Sequence, residues 1–137
     1  MCGIVGSIQT GKNEPFQEQV MRAMDHMVHR GPDGKGFETF VVTDGTAANT
    51  LGAHGSATVL FGHRRLAIID LSETARQPMS TPDGRFHLIF NGEIYNYREI
   101  GAELKSLGHT FRTRSDAEVL LLAWQRWGIT LLPRLTG

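Results

Sequence analysis

The sequence has one cysteine, and it stands at position 2, in the opening MCGIVG. Removal of Met1 puts a thiol of reference pKa about 8.5 and an α-amine of reference pKa about 7.7 to 8 on a single residue. Such a residue carries its own base: the neutral amine takes the thiol proton, directly or through a water, as sulfur attacks a carbonyl. That step needs no histidine or aspartate. The plainer reading of Cys2 is a small hydrophobe in a strand. Attack on a carbonyl creates an oxyanion, and NGEIYN at 91–96 offers donors for it. They are the Asn91 side-chain amide and the N–H of Gly92, whose missing Cβ lets a ligand come close to the backbone. Asn-Gly is equally the strongest two-residue hairpin signal in the chain. Arg65 presents a planar fork suited to a carboxylate, and Glu93 and Asp116 can accept from an ammonium. Together they describe a pocket for a zwitterionic amino acid. Singly, each reads as a solvated charge or, for Asp116, a favourable charge at a helix N-terminus.

Other chemistries find less support. His26 and His29 lack the four-residue spacing with an intervening glutamate and have no acidic third ligand, so no metal site is expected. The arginines of HRRL make a weak phosphate footprint, because fourteen Lys and Arg balance fourteen Asp and Glu. Nucleic acid is therefore not an expected partner. Gly3, Gly6 and Gly11 fit neither a dinucleotide nor a triphosphate loop. The longest apolar stretch, AEVLLLAW, is well short of the roughly 20 residues a spanning helix needs, and no basic segment leads into an apolar run at the N-terminus. The expectation is a soluble, intracellular, cytoplasmic protein without a membrane partner. A lone cysteine allows no internal disulfide and no multi-cysteine zinc or iron-sulfur site.

These residues need elements to hold them, and a 15.2 kDa chain that is 40% hydrophobic can build one core. CGIVGSI reads as a strand starting at Cys2, and TGKNEP as a turn. Phe16, Val20, Met24 and Met27 form a helical stripe from Glu14 to about Val28, with Pro15 tolerated in the first turn. HRGPDG at 29–34 ends that helix. FETFVV reads as a strand, and the glycine-rich stretch over 43–58 as a mobile hairpin connection or surface loop. VLFGHRRLAIIDL has strand character on both sides of Gly62 to Arg65, where strand should give way to a loop or a close backbone approach. RFHLIFNGEIYN starts as a strand and reaches the Asn91-Gly92 turn. Asn96 with Glu99 resembles a capping box before a helix through Ile100, Leu104 and Leu107 that Gly108 ends. Ser115 with Glu118 repeats it before Val119, Leu122, Trp124 and Trp127, which places Asp116 in a first turn. The order of strand, helix, several strands and two helices predicts an α+β or layered sandwich, not a doubly wound sheet.

Taken in order, MCGIVG, HRGPDG, FGHRRLAIIDLS, QPM, FNGEIYNY and SDAEVLL resemble the N-terminal glutaminase domain of the asparagine-synthetase-like class II glutamine amidotransferases, over Met1 to Leu122. The resemblance implies an Ntn-hydrolase fold, a four-layer αββα sandwich with two stacked antiparallel sheets. It also implies hydrolysis of glutamine to glutamate and ammonia, with Cys2 as nucleophile, its freed amine as base, and Asn91 and Gly92 as the oxyanion hole. Arg65 would take the glutamine carboxylate, Glu93 and Asp116 its amino group, and the backbone at Ile68 and Ile69 would line the pocket. Asn96 would support the site, a role that competes with capping. Arg30 and Asp33 look like framework residues of a turn.

By the same likeness, residues 1–137 form an amidotransferase domain incomplete at its C-terminus. The glutaminase reaction takes no cofactor. ATP and Mg are expected only in a following synthetase domain, which would use the ammonia to amidate a carboxylate, and there is room for a homodimer. The long stretch at 44–58 and Ala75, where a glycine often precedes QPM, depart from the family pattern. Two alternatives remain open: a noncatalytic regulatory or docking domain, and an Ntn-type acylase acting on another amide.

Overall fold

The structure, a computed structural model, describes residues 1–10, 16–43, 46–48 and 57–137. Strand β1 (Gly3–Thr10) pairs antiparallel with β4 (Ala57–Arg65), β4 with β2 (Gly34–Thr43), and β2 with the short β3 (Thr46–Ala48). The sheet order is β1-β4-β2-β3. Residues directly opposite one another share a face, so the register sorts every side chain into one of two layers. Val5, Gly62 and Phe37 are partners on the first face. Helix α1 (Gln17–His26) lies there, with Val20 and Met24, one turn apart, buried against Leu60. Gly62 permits the approach, since a Cβ there would fall 2.5 Å from Met24 Sδ and 2.8 Å from Val5 Cγ1.

The second face presents His63, Gly36, Glu38 and Phe40. A second, two-stranded antiparallel sheet of β5 (Met79–Ser80) and β6 (His87–Leu88) covers it. The Phe40 ring stacks on His87 with centroids 4.0 Å apart, and His87 Nδ1 lies 2.9 Å from Ser80 Oγ. Beyond this sheet sits helix α3 (Asp116–Trp127), whose Ala117 and Leu121 pack with Ala75, Met79, Phe86, Leu88 and Phe90. Helix α2 (Tyr97–Ser106) joins α3 through Ile100 and Leu104 against Val119, Leu122 and Ala123. Helix, sheet, sheet, helices is the αββα order expected of an Ntn-type sandwich.

Local chemistry explains several ends. Gly108, at φ 91°, closes α2 in a Schellman motif: its N–H donates to Lys105 O and the His109 N–H to Leu104 O, each at 3.0 Å. Ser115 caps α3 by accepting from the Glu118 N–H at 3.2 Å.

Other expectations are corrected. Asn96 makes no side-chain cap on α2; its amide donates to Arg134 O at 2.9 Å and its Oδ1 accepts from the Thr136 N–H at 3.0 Å. Asn91-Gly92 starts no hairpin, because the chain runs from β6 into α2 with no returning strand. Gly62 to Arg65 lie inside β4, with the expected close approach at Gly62 and the strand ending at Arg65, while LAIIDL is not a strand. The backbone there bonds to the HRGPDG turn instead, as Asp33 N–H donates to Arg65 O at 3.0 Å and Ala67 N–H to Asp33 Oδ2 at 2.9 Å. Helix α1 ends at His26, followed by a 3-10 turn over Val28–Arg30, and Phe16 and Leu107 are exposed members of their stripes. Within the 43–58 stretch, residues 46–48 pair as β3 and 57–58 open β4; its other inner residues, like the turn at 11–15 and the helix start at Glu14 and Pro15, lie outside the described residues.

The tightest interlayer contact is at Gly36, where a Cβ would fall 1.7 Å from Gln77 O, whereas a Cβ at Gly101 meets Val119 Cγ2 at an ordinary 3.5 Å. Gly36→Ala is expected to lower stability by about 1–3 kcal/mol through overpacking. Gly101→Ala, inside α2, is expected to raise it by up to about 1 kcal/mol. Urea unfolding of the two variants checks the opposite signs.

Candidate active site

Cys2 stands directly before β1, whose Gly3 pairs with Arg64, so the thiol arrives where β4 ends and the chain leaves the sheet. There the Leu66 N–H donates to Cys2 Sγ at 3.3 Å, with Leu66 O 3.7 Å from the sulfur. Arg30 Nε donates to Cys2 O at 3.1 Å. Gly31 lets the turn carrying Arg30 press against β4, because a Cβ there would fall 2.4 Å from the Arg64 carbonyl carbon. Arg30 and Asp33 thus brace the two chain segments that meet at Cys2, as framework residues do.

The half-buried thiol opens onto a cavity of about 320 Å³. Arg65, Ile68, Ile69, Asn91, Gly92, Glu93 and Asp116 all line it with Cys2. Each comes from a different constraint. Arg65 is the last residue of β4, and its guanidinium donates to Ser72 O at 2.8 Å and to Asp70 O, two of its five N–H groups. Asp116 opens α3 and is buried; Oδ2 accepts from the Ile94 N–H at 3.1 Å and Oδ1 from the Ala117 N–H at 2.9 Å. Glu93 is exposed at the rim. Gly92 lies under the Phe90 ring, where a Cβ would fall 2.6 Å from Phe90 Cζ, so the glycine answers a close approach and not a left-handed turn. Asn96 is not in the lining. Its bonds to Arg134 and Thr136 hold the 134–137 segment beside Glu93 to Tyr95, and Tyr95 N–H donates to Thr136 O at 2.7 Å.

A thiol at the second residue and an Asn-Gly pair lining one cavity are the groups that amide acyl transfer uses. The model of the glutamine amidotransferase domain matches residues 1–137. The chain belongs to this family. Two asparagine synthetases of Bacillus subtilis, both named as glutamine-hydrolysing, are 39% and 38% identical over the whole chain. An amidase, chry2, of Gibberella zeae is 29% identical, again over the whole chain. The chain spans about a fifth of the length of each of these three relatives.

Several residues at or behind this cavity were not named as site residues from the sequence, although His63, Leu66 and Asp70 fall in FGHRRLAIIDLS and Gln77 in QPM. Leu66 acts through its backbone N–H, which any residue but proline supplies. Gln77 Oε1 accepts from the Phe90 N–H at 2.6 Å, and His63, wholly buried, meets Phe90 O at 3.2 Å. Burial, with a lesser push from the Arg65 charge, holds His63 below the ordinary histidine range despite that bond. Asp70 accepts from the Arg114 N–H at 2.8 Å and from Ser72 N–H and Oγ–H at 2.8 and 2.6 Å. Those donors, Arg114 foremost, bring its carboxyl down to about 2. Among the described residues no helix is long and apolar enough to cross a membrane.

A carboxyl whose folded value lies below its unfolded one contributes stability that is whole above about pH 4 and is lost as pH falls toward 2. Asp70→Asn is therefore expected to lower the unfolding midpoint near neutral pH, with the gap to wild type closing by about pH 2. Denaturant titrations along that pH range check it.

Proposed function

We propose that this chain hydrolyses glutamine to glutamate and ammonia from Cys2 once Met1 is removed. The observation that carries the reading is the convergence of the sulfur, the Asn91-Gly92 pair, Arg65 and Asp116 on one cavity. Met1 is exposed, which leaves the Met1–Cys2 bond open to processing. Arg65 takes the substrate α-carboxylate with donors beyond the two it commits to the backbone, and Glu93 and Asp116 accept from its ammonium. Ile68 and Ile69 wall the side chain.

The thiol attacks the δ-carbonyl and passes its proton to the freed α-amine. The oxyanion accepts from the Asn91 amide and the Gly92 N–H, and the ammonium of Cys2 returns the proton as the C–N bond breaks and ammonia leaves. Water, deprotonated by the same amine, then splits the thioester to release glutamate and the thiol. No metal or cofactor enters these steps. The names of the relatives support a further reading, that the ammonia feeds a synthetase domain where ATP and Mg activate an acceptor carboxylate. We place the reaction in the cytoplasm, where a lone thiol stays reduced.

Steady-state assay of ammonia release from glutamine tests the proposal. Cys2→Ala is expected to abolish turnover while glutamine still binds, and Asn91→Ala to lower kcat by about 10²–10³. Turnover that survives Cys2→Ala, or a preference for another amide, would overturn it.

A further inference from the structure

We propose that His63 and Gln77 are positioning residues that set the oxyanion donors by clamping Phe90. The inference rests on the glutaminase reading and names what holds its oxyanion hole in place. Phe90 immediately precedes Asn91, so its carbonyl belongs to the same peptide plane as the Asn91 N–H. That carbonyl can only accept, which assigns the proton of neutral His63 to Nε2. Gln77 Oε1 holds the other end of the residue through the Phe90 N–H at 2.6 Å, and His63 Nε2 sits 3.2 Å from Phe90 O. With both ends fixed, the peptide planes on either side of Phe90 cannot rotate, and the Phe90 ring bears on the Gly92 Cα, where no Cβ fits.

The clamp has a single anchorage. His63 and Gly36 are direct cross-strand partners on the inner face of the large sheet. The large residue reaches across to Phe90, while its small neighbour leaves the space into which the Gln77 backbone settles. His63 is wholly buried, and its Nδ1 has no hydrogen-bond partner among the described residues. A leucine would remove that unpaired nitrogen but would leave Phe90 O without its donor, so the imidazole is retained for a hydrogen bond and not for packing. The donor at Nε2 is what leucine lacks. A shift of about 1 Å in catalytic geometry is enough to cost on the order of 10²-fold in rate.

The test uses the full-length protein and its glutamine hydrolysis. His63→Leu removes the donor and Gln77→Met the acceptor; His63→Gln and Gln77→Glu keep them. His63→Leu and Gln77→Met are expected to lower kcat about 10- to 100-fold, with KM for glutamine unchanged within about threefold. His63→Gln is expected to recover most of the loss. In an Asn91→Ala background the His63→Leu effect should shrink, because its route runs through the donor already removed. A loss that falls on KM, that only tracks a loss of folded protein, that His63→Gln does not relieve, or that adds fully to Asn91→Ala overturns the clamp. Should His63→Leu fail to fold, Gln77→Met against Gln77→Glu decides by the same kcat criterion. If wild type itself shows no Cys2-dependent turnover, it is the glutaminase reading that fails, and the clamp with it.

Discussion

Strand β4 is the constraint on which the molecule depends. It is flanked on both sides, by β1 and β2, so its backbone is paired throughout and its side chains must alternate between two crowded layers. In GHRR that alternation is read residue by residue. Gly62 receives α1; His63 reaches through the opposite face to Phe90. Arg64 returns to the α1 side, where Nε donates to Met24 O at 2.9 Å and the guanidinium meets Asp25 at 2.8 Å. Arg65, at the end, enters the cavity. A one-residue slip of β4 would exchange the two layers and take both His63 and Arg65 away from their places beside the cavity.

The polar groups that β4 and its neighbours bury are held by bonds, not tolerated as strain. Glu118 is buried and accepts from the N–H groups of Arg112 and Thr113 at 2.9 and 2.7 Å, tying the loop before α3 to the helix. Asp116 does the same for Ile94, so the helix N-terminus and the Glu93 segment move together. The exposed pair of Lys35 with Asp25 adds little by comparison, since solvent screens it. His63 Nδ1 stands apart as a buried nitrogen without a partner among the described residues, and natural structures keep such groups rarely.

Much of this was legible because it follows from periodicity and composition. Val20 and Met24 announce α1, Ser115 with Glu118 announces α3, and Gly108 marks where α2 stops. The strand-rich middle between one helix and two predicts an α+β or layered sandwich, and the two stacked sheets came from the family resemblance. Cys2 was legible as chemistry from its position alone, and Asn91, Gly92, Arg65, Glu93 and Asp116 were named from their donors and charges. Ile68, Ile69 and Asn96 came from the family resemblance; of these Asn96 falls outside the cavity. What was illegible depends on long-range pairing. LAIIDL looks apolar enough for a strand, yet its first N–H groups donate to Cys2 and to Asp33 of the HRGPDG turn. Asn91-Gly92 has hairpin chemistry, yet no strand returns, and the glycine is required by the Phe90 ring. Asn96 has the residue type of a cap, yet its amide finds Arg134 and Thr136. His63 and Gln77 act through another residue's backbone, and backbone bonding leaves no local signature.

The central claim is that Cys2, freed of Met1, is the nucleophile of a glutamine-shaped pocket. Intact-mass measurement after incubation with 6-diazo-5-oxo-L-norleucine, a glutamine-like electrophile, tests it most directly. The account predicts a protein without Met1, one covalent adduct per chain, peptide mapping of that adduct to Cys2, and protection by excess glutamine. A protein that has lost Met1 and folded, yet takes no adduct at Cys2 or takes one that glutamine does not suppress, would contradict it.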